Sequence, residues 1–175
     1  MESRAKFLGH SMHQQLIPFP FGLLVTAVIF DALYLITDST ELATAAYWMI
    51  AAGVVGGLLA APFGLVDWLH ISKGTRAKRV GAVHGIGNAI LLVVFASSWF
   101  LRRETPEAPD VAPLALSFIG VAIAIVTGWL GGELVDRHAI AIDEGAHLDS
   151  PHSLSGRPAR ENAPEPPQPS RSGQR

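Results

Sequence analysis

The chain has 175 residues, 49% of them hydrophobic and only 16% charged, with a formal net charge of −2 and no cysteine. Soluble domains carry about 25% charged residues, so the composition argues against an ordinary soluble domain. Without cysteine there can be no disulfide, no thiolate metal site, no iron–sulfur ligation by this chain and no cysteine-attached haem.

Residues 1–15 read as an interfacial N-terminal segment. They lack the short apolar core and small-residue cleavage site of a removable signal, so the first apolar run is expected to act as an uncleaved anchor. Four runs follow, Leu16–Ile36, Ala45–Leu69, Val80–Leu101 and Val111–Val135, each of 21 to 25 residues. About 20 helical residues at a rise of about 1.5 Å cross a hydrocarbon core of roughly 30 Å. The prediction is an all-α membrane protein: an antiparallel bundle of four transmembrane helices spanning residues 16–142, embedded in a lipid bilayer.

Pro18 and Pro20 suit the first turn of the first helix, where a missing N–H costs nothing. Asp38, Ser39 and Thr40 close it and can cap the second, which runs through Pro62, a candidate kink. The chain turns again at Ser72–Thr75. Pro106, Pro109 and Pro113 forbid helix until the fourth run starts. From residue 143 the composition shifts, with six of the twelve prolines in Pro151–Pro169. Residues 143–175 therefore read as a disordered tail that cannot bury enough apolar surface to offset its ordering entropy.

Arg4, Lys6, Lys73, Arg76, Lys78, Arg79, Arg137 and the tail arginines fall on the face carrying both termini. Only Arg102 and Arg103 fall on the other. Short loops rich in Lys and Arg stay cytoplasmic, which predicts cytoplasmic termini. That bias also explains the basic loop without any nucleic acid as partner.

Chain alternation brings His10, His13, His70, His84 and His138 to the same face, close to Asp67, Glu133 and Asn88. Polar groups at a hydrocarbon boundary are costly, so a shared site there is the strongest functional lead. His84 and Asn88, spaced i, i+4, share a helix face. His10 and His13, spaced i, i+3, could share a metal or supply one axial ligand. His70 and His138 are explained by the negative ends of their helices. Asp67 and Glu133 could orient a histidine, relay protons, or pair with Lys73, Arg76 or Arg137. Asp31 reads as a structural partner of Arg102 or Arg103.

Small residues line two helices: Gly53, Gly57, Ala60 and Gly64 on the second, Gly120, Ala124, Thr127 and Gly131 on the fourth. Close helix packing explains them, and a smooth wall against a flat cofactor is the functional alternative. The segments beginning at Gly53 and Gly120 are alike. Either this is chance similarity, or a duplicated hairpin sets His13 against His84 and Asp67 against Glu133. No nucleophile elbow, phosphate loop, HExxH or dinucleotide fingerprint is present, so the sequence does not settle whether the chain is an enzyme.

The segments His13–Leu24 (HQQLIPFPFGLL), Gly64–Leu69 (GLVDWL), His84–Asn88 (HGIGN) and Gly128–His138 (GWLGGELVDRH) together resemble the bacterial membrane-protein family called domain of unknown function 2231, over about residues 10 to 145. The resemblance implies a four-helix domain of the bacterial inner membrane and no named activity. It also implies company with Rieske-type or c-type cytochrome redox modules. The family commonly has His-Pro at the first histidine and a second histidine before Phe-Pro. Here the chain has His13-Gln14, and Pro18 stands at the later place. His13 and His84 are left as the better-matched pair.

Two functions follow as expectations. One is a redox module binding haem b, or meeting a quinone, through His13 and His84, with His10 or His138 as the next ligands and Asn88, Asp67 and Glu133 in support. The other is a non-enzymatic scaffold or subunit with structural histidines. Either could form a homo-oligomer.

Overall fold

The computed structural model describes residues 1–163. A two-stranded antiparallel hairpin, β1 (Lys6–Phe7) and β2 (His10–Ser11), leads into a five-residue helix α1 (Met12–Leu16). Four long helices follow: α2 (Pro18–Thr37), α3 (Thr40–His70), α4 (Arg76–Leu101) and α5 (Val111–Asp136). Each is long and apolar enough to cross a membrane. About half of their large apolar side chains, Ile36, Leu59, Ile86 and Val111 among them, are exposed on the outside of the bundle. This is the surface hydrocarbon lipid tails cover.

Two of the helices, α3 and α4, start earlier than their apolar runs because their first turns are polar. Ser39 precedes α3, and Glu41 in its first turn suits the positive end of the helix dipole. Thr75 caps α4 by accepting a hydrogen bond from the Lys78 N–H at 3.1 Å. Asp38 ends α2 in the left-handed region, with φ of 55°. α3 continues through Pro62 as one helix.

α2 packs along α3, and α4 along α5, as two hairpins that meet chiefly through α3 and α4. Leu24, Ala27, Val28, Ala46, Ile50, Leu91, Phe95 and Ala124 form the common core. The small-residue stripes receive side chains. A Cβ on Gly53 would lie 2.7 Å from Leu24, one on Gly57 2.6 Å from Leu92, and one on Gly120 2.6 Å from Phe95.

The contacts follow a repeat. Leu24 against Gly53 in the first hairpin corresponds to Phe95 against Gly120 in the second, with a constant sequence offset between α2 and α4 and another between α3 and α5. The same offset relates His13 to His84 and Asp31 to Arg102.

Asp31 and Arg102 meet at the end of the bundle away from the termini, both with 0% side-chain exposure. The guanidinium donates to both carboxylate oxygens, at 2.6 and 2.7 Å. It donates further to the Ser98 hydroxyl, the Ser117 hydroxyl and the Pro113 carbonyl, at 3.2, 2.8 and 3.2 Å. The geometry is bidentate and most of the donor capacity is used, as a buried charge requires. Arg102, not Arg103, is the partner.

The N-terminal segment is a folded strap. The Ala141 N–H donates to the Met1 carbonyl at 2.8 Å, and the Glu144 N–H to the Glu2 carboxylate at 3.0 Å. Lys6 pairs with Glu2 at 3.1 Å and with Asp143. The Glu144 N–H, then Lys6, hold Glu2 below its ordinary 4.5, while Asp143, against the opposing effect of burial, holds Lys6 above its ordinary 10.5. Glu2 thus stabilises the strap above pH 4.5 and loses that contribution as pH falls through its lowered value. Lys6 contributes below 10.5 and loses its share as pH rises through its raised value. Amide protection factors in residues 1–11, with the intrinsic pH dependence of exchange divided out, should therefore be highest between these limits and fall beyond them. Glu2→Gln should shrink the acid-side change; an unaltered profile would rule the carboxylate out.

Beyond α5, residues 143–163 hold turns and a single 3₁₀ turn at Ser153–Ser155. The rest of the expected disordered tail, residues 164–175, lies outside the described residues.

Candidate functional site

His13 and His84 meet at the end of the bundle that carries the termini. Their ring centroids are 6.3 Å apart and their planes are 86° from parallel. Two local arrangements of the same kind hold them. His13 Nδ1 lies 3.0 Å from the Ala60 carbonyl of α3, and His84 Nδ1 lies 2.9 Å from the Thr127 carbonyl of α5. A helical carbonyl is usually screened by the side chain one turn on. Here that residue is Gly64 for Ala60 and Gly131 for Thr127. A Cβ on Gly64 would sit 2.8 Å from His13 Cε1, and one on Gly131 3.2 Å from His84 Cε1. The two glycines are thus what lets each imidazole reach its carbonyl.

A carbonyl can only accept, so each Nδ1 carries a proton, and in the neutral ring Nε2 then holds the lone pair. Asn88 lies beside the same ring as His84 Nδ1. Its amide donates to the His84 carbonyl at 2.8 Å and lies 3.4 Å from His84 Nδ1 and 3.3 Å from Nε2. The site thus presents two oriented imidazoles whose Nε2 atoms are left for other partners. It can ligate a metal or accept hydrogen bonds.

The other sequence candidates lie elsewhere. His10 belongs to β2 and is exposed, its Nδ1 3.1 Å from the Leu8 carbonyl. The helical i, i+3 pairing expected with His13 does not form, because helix begins only at Met12. His70 ends α3 and is exposed, with Nδ1 2.8 Å from the Val66 carbonyl. His138 lies past the end of α5, half-buried, with Nε2 buried and unpartnered.

Neither carboxylate hydrogen-bonds a histidine ring. Asp67 accepts from the Ser3 hydroxyl at 2.9 and 2.8 Å and from the Arg4 N–H at 2.7 Å. Glu133 faces Arg76 at 3.7 Å, one of the loop partners expected of it. Backbone carbonyls, not carboxylates, orient both imidazoles. Nor do Asp67 and Glu133 occupy matching places, since the offset that relates Gly64 to Gly131 relates Asp67 to Leu134. Among the described residues no group of three His, Cys, Asp or Glu side chains converges on a metal position. A metal held here would rest on two protein ligands.

Nothing in the sequence marks Ser3 and Arg4 as partners of Asp67. A short polar N-terminal stretch carries no periodicity that fixes its path.

Four apolar helices around a paired-histidine end define a multi-pass membrane protein. The chain belongs to the family described as "Predicted membrane protein (DUF2231)", whose model matches residues 9–144. No curated protein and no solved structure matches it.

Proposed function

We propose that the chain is a membrane redox module in which His13 and His84 hold haem b through their Nε2 atoms, in the bacterial inner membrane with the termini in the cytoplasm. The observation that carries this reading is the perpendicular imidazole pair, 6.3 Å between centroids, with both Nδ1 atoms bound to carbonyls. Two oriented imidazoles from separate helices are the donor set a haem iron would take. When bound, haem iron would supply one-electron transfer, at a potential set by its axial ligands and their hydrogen bonds. The chain's own part is to fix the tautomers, hold the rings and keep the pair at the bundle's end. The family's company with Rieske-type or c-type cytochrome modules suggests the redox partner.

One spectrum tests the proposal. Protein expressed with ample haem should show a Soret band and, on reduction, sharp bands of six-coordinate haem. His84→Ala should abolish the six-coordinate signature, and His13→Ala should convert it to a five-coordinate one. A colourless wild type sinks the haem reading. Shifts of the imidazole resonances on adding a quinol to that colourless protein would point to quinol instead.

A second reading has its own support. Each histidine already ties two helices together through Nδ1, which a purely structural cross-brace would also do. That scaffold role predicts that His13→Ala/His84→Ala alters only unfolding, leaving spectra and partner recovery unchanged.

A further inference from the structure

The two imidazoles are held alike, but the backbones that carry them are not. His84 sits in the third turn of α4, where continuous helix fixes its Cα. His13 is the second residue of α1, whose helical backbone continues through Ile17 into α2, so it lies in the first turn of that run with only a two-residue strand before it. Something else must hold the His13 backbone, and the hydrogen bonds trace it to Asp67.

The Asp67 carboxylate is 6% exposed and receives the Ser3 hydroxyl on both oxygens and the Arg4 N–H on Oδ1. The next residue, Ala5, accepts the Met12 N–H through its carbonyl at 2.8 Å. Met12 immediately precedes His13. The route from carboxylate to imidazole backbone therefore crosses only two hydrogen bonds, and β1 and β2 close the loop between them. Asp67 also shares one face of α3 with Ala60 and Gly64, at i, i+4 and i+7. That single stripe grips His13 from both sides, its ring through Ala60 and its backbone through Asp67. The equivalent of Asp67 in the second hairpin is the buried Leu134. A histidine two turns inside its helix needs no such clamp, whereas one in a first turn has no preceding turn to hold it.

We propose that Asp67 is a positioning residue for His13, acting through the strap from Ser3 to Met12, and that releasing the clamp frees His13 while leaving His84 in place. This deepens the histidine-site reading, on which its functional meaning rests, but the placement itself can be measured without any cofactor.

The test is the rate at which diethyl pyrocarbonate modifies each histidine of the full-length protein in detergent, resolved by mass spectrometry, with exposed His70, outside the strap, as the internal reference. Asp67→Ala should raise the His13 rate by about tenfold, as expected from losing several charge-assisted hydrogen bonds, with the His84 rate within twofold of wild type. Ser3→Ala, a milder change, should give a smaller rise at His13 alone. It keeps the test valid if Asp67→Ala fails to fold. Asp67→Glu should restore part of the protection. Equal acceleration at His13 and His84, or none at either, would overturn the proposal. In protein that binds haem, Asp67→Ala should also yield the five-coordinate spectrum of His13→Ala. A colourless wild type that still shows the selective His13 effect would remove the haem reading and leave the positioning role standing.

Discussion

Replacing Asp31 with Leu should cost about 3–5 kcal/mol of stability, because Arg102 is then left charged and unpaired among buried groups. Arg102→Leu should cost a similar amount through the stranded carboxylate. Arg102→Lys should also be poorly tolerated, since an ammonium cannot make the two-pronged contact with Asp31 while reaching Ser117 and the Pro113 carbonyl. The double variant Asp31→Leu/Arg102→Met removes both charges and should recover most of the loss. Unfolding in mixed micelles against the mole fraction of dodecyl sulfate measures all four. If the single variants lose less than about 1 kcal/mol, the pair behaves as an exposed one and the buried network is wrong.

The second large effect concerns the glycines beneath the imidazoles, and it should differ between halves. Alanine in place of glycine gains about 1 kcal/mol of helix propensity. At Gly64 the new methyl would fall 2.8 Å from His13 Cε1 and 2.9 Å from Nδ1. His13 is gripped by both its ring and its backbone, so it cannot retreat without breaking the bond to Ala60. Overpacking of this kind costs about 1–3 kcal/mol, so Gly64→Ala should be destabilising on balance. At Gly131 the nearest approach is 3.2 Å, a few tenths of an ångström to absorb, and Gly131→Ala should come out near neutral. Equal losses in the same unfolding assay would contradict the asymmetric clamping of the two histidines.

Much of this architecture can be read from the sequence, and the failures have definite physical causes. Run length alone locates the four spans. It misses the polar first turns at Thr40–Thr44 and Arg76–Arg79, because an apolar window registers hydrocarbon and not hydrogen bonding. Asp31 stands out as a charge inside an apolar run, although its choice of Arg102 depends on packing at the end of α4. The meeting of His13 and His84 follows from the likeness of the two hairpins. Asp67 and Glu133 show where that likeness misleads. They differ by one position in register, and one residue turns a helical side chain by about 100°. One carboxylate consequently finds the N-terminal strap and the other finds Arg76.

The opposite charges at Asp31 and Arg102 bear on how the molecule assembles. These are equivalent positions in the two hairpins, so pairing a first hairpin with another first hairpin would oppose carboxylate to carboxylate. Two second hairpins would oppose guanidinium to guanidinium. Both like-with-like arrangements bury repelling charges without compensation. Only the mixed pair neutralises itself. A single matched position thus favours the unlike pairing of the two hairpins over either like one.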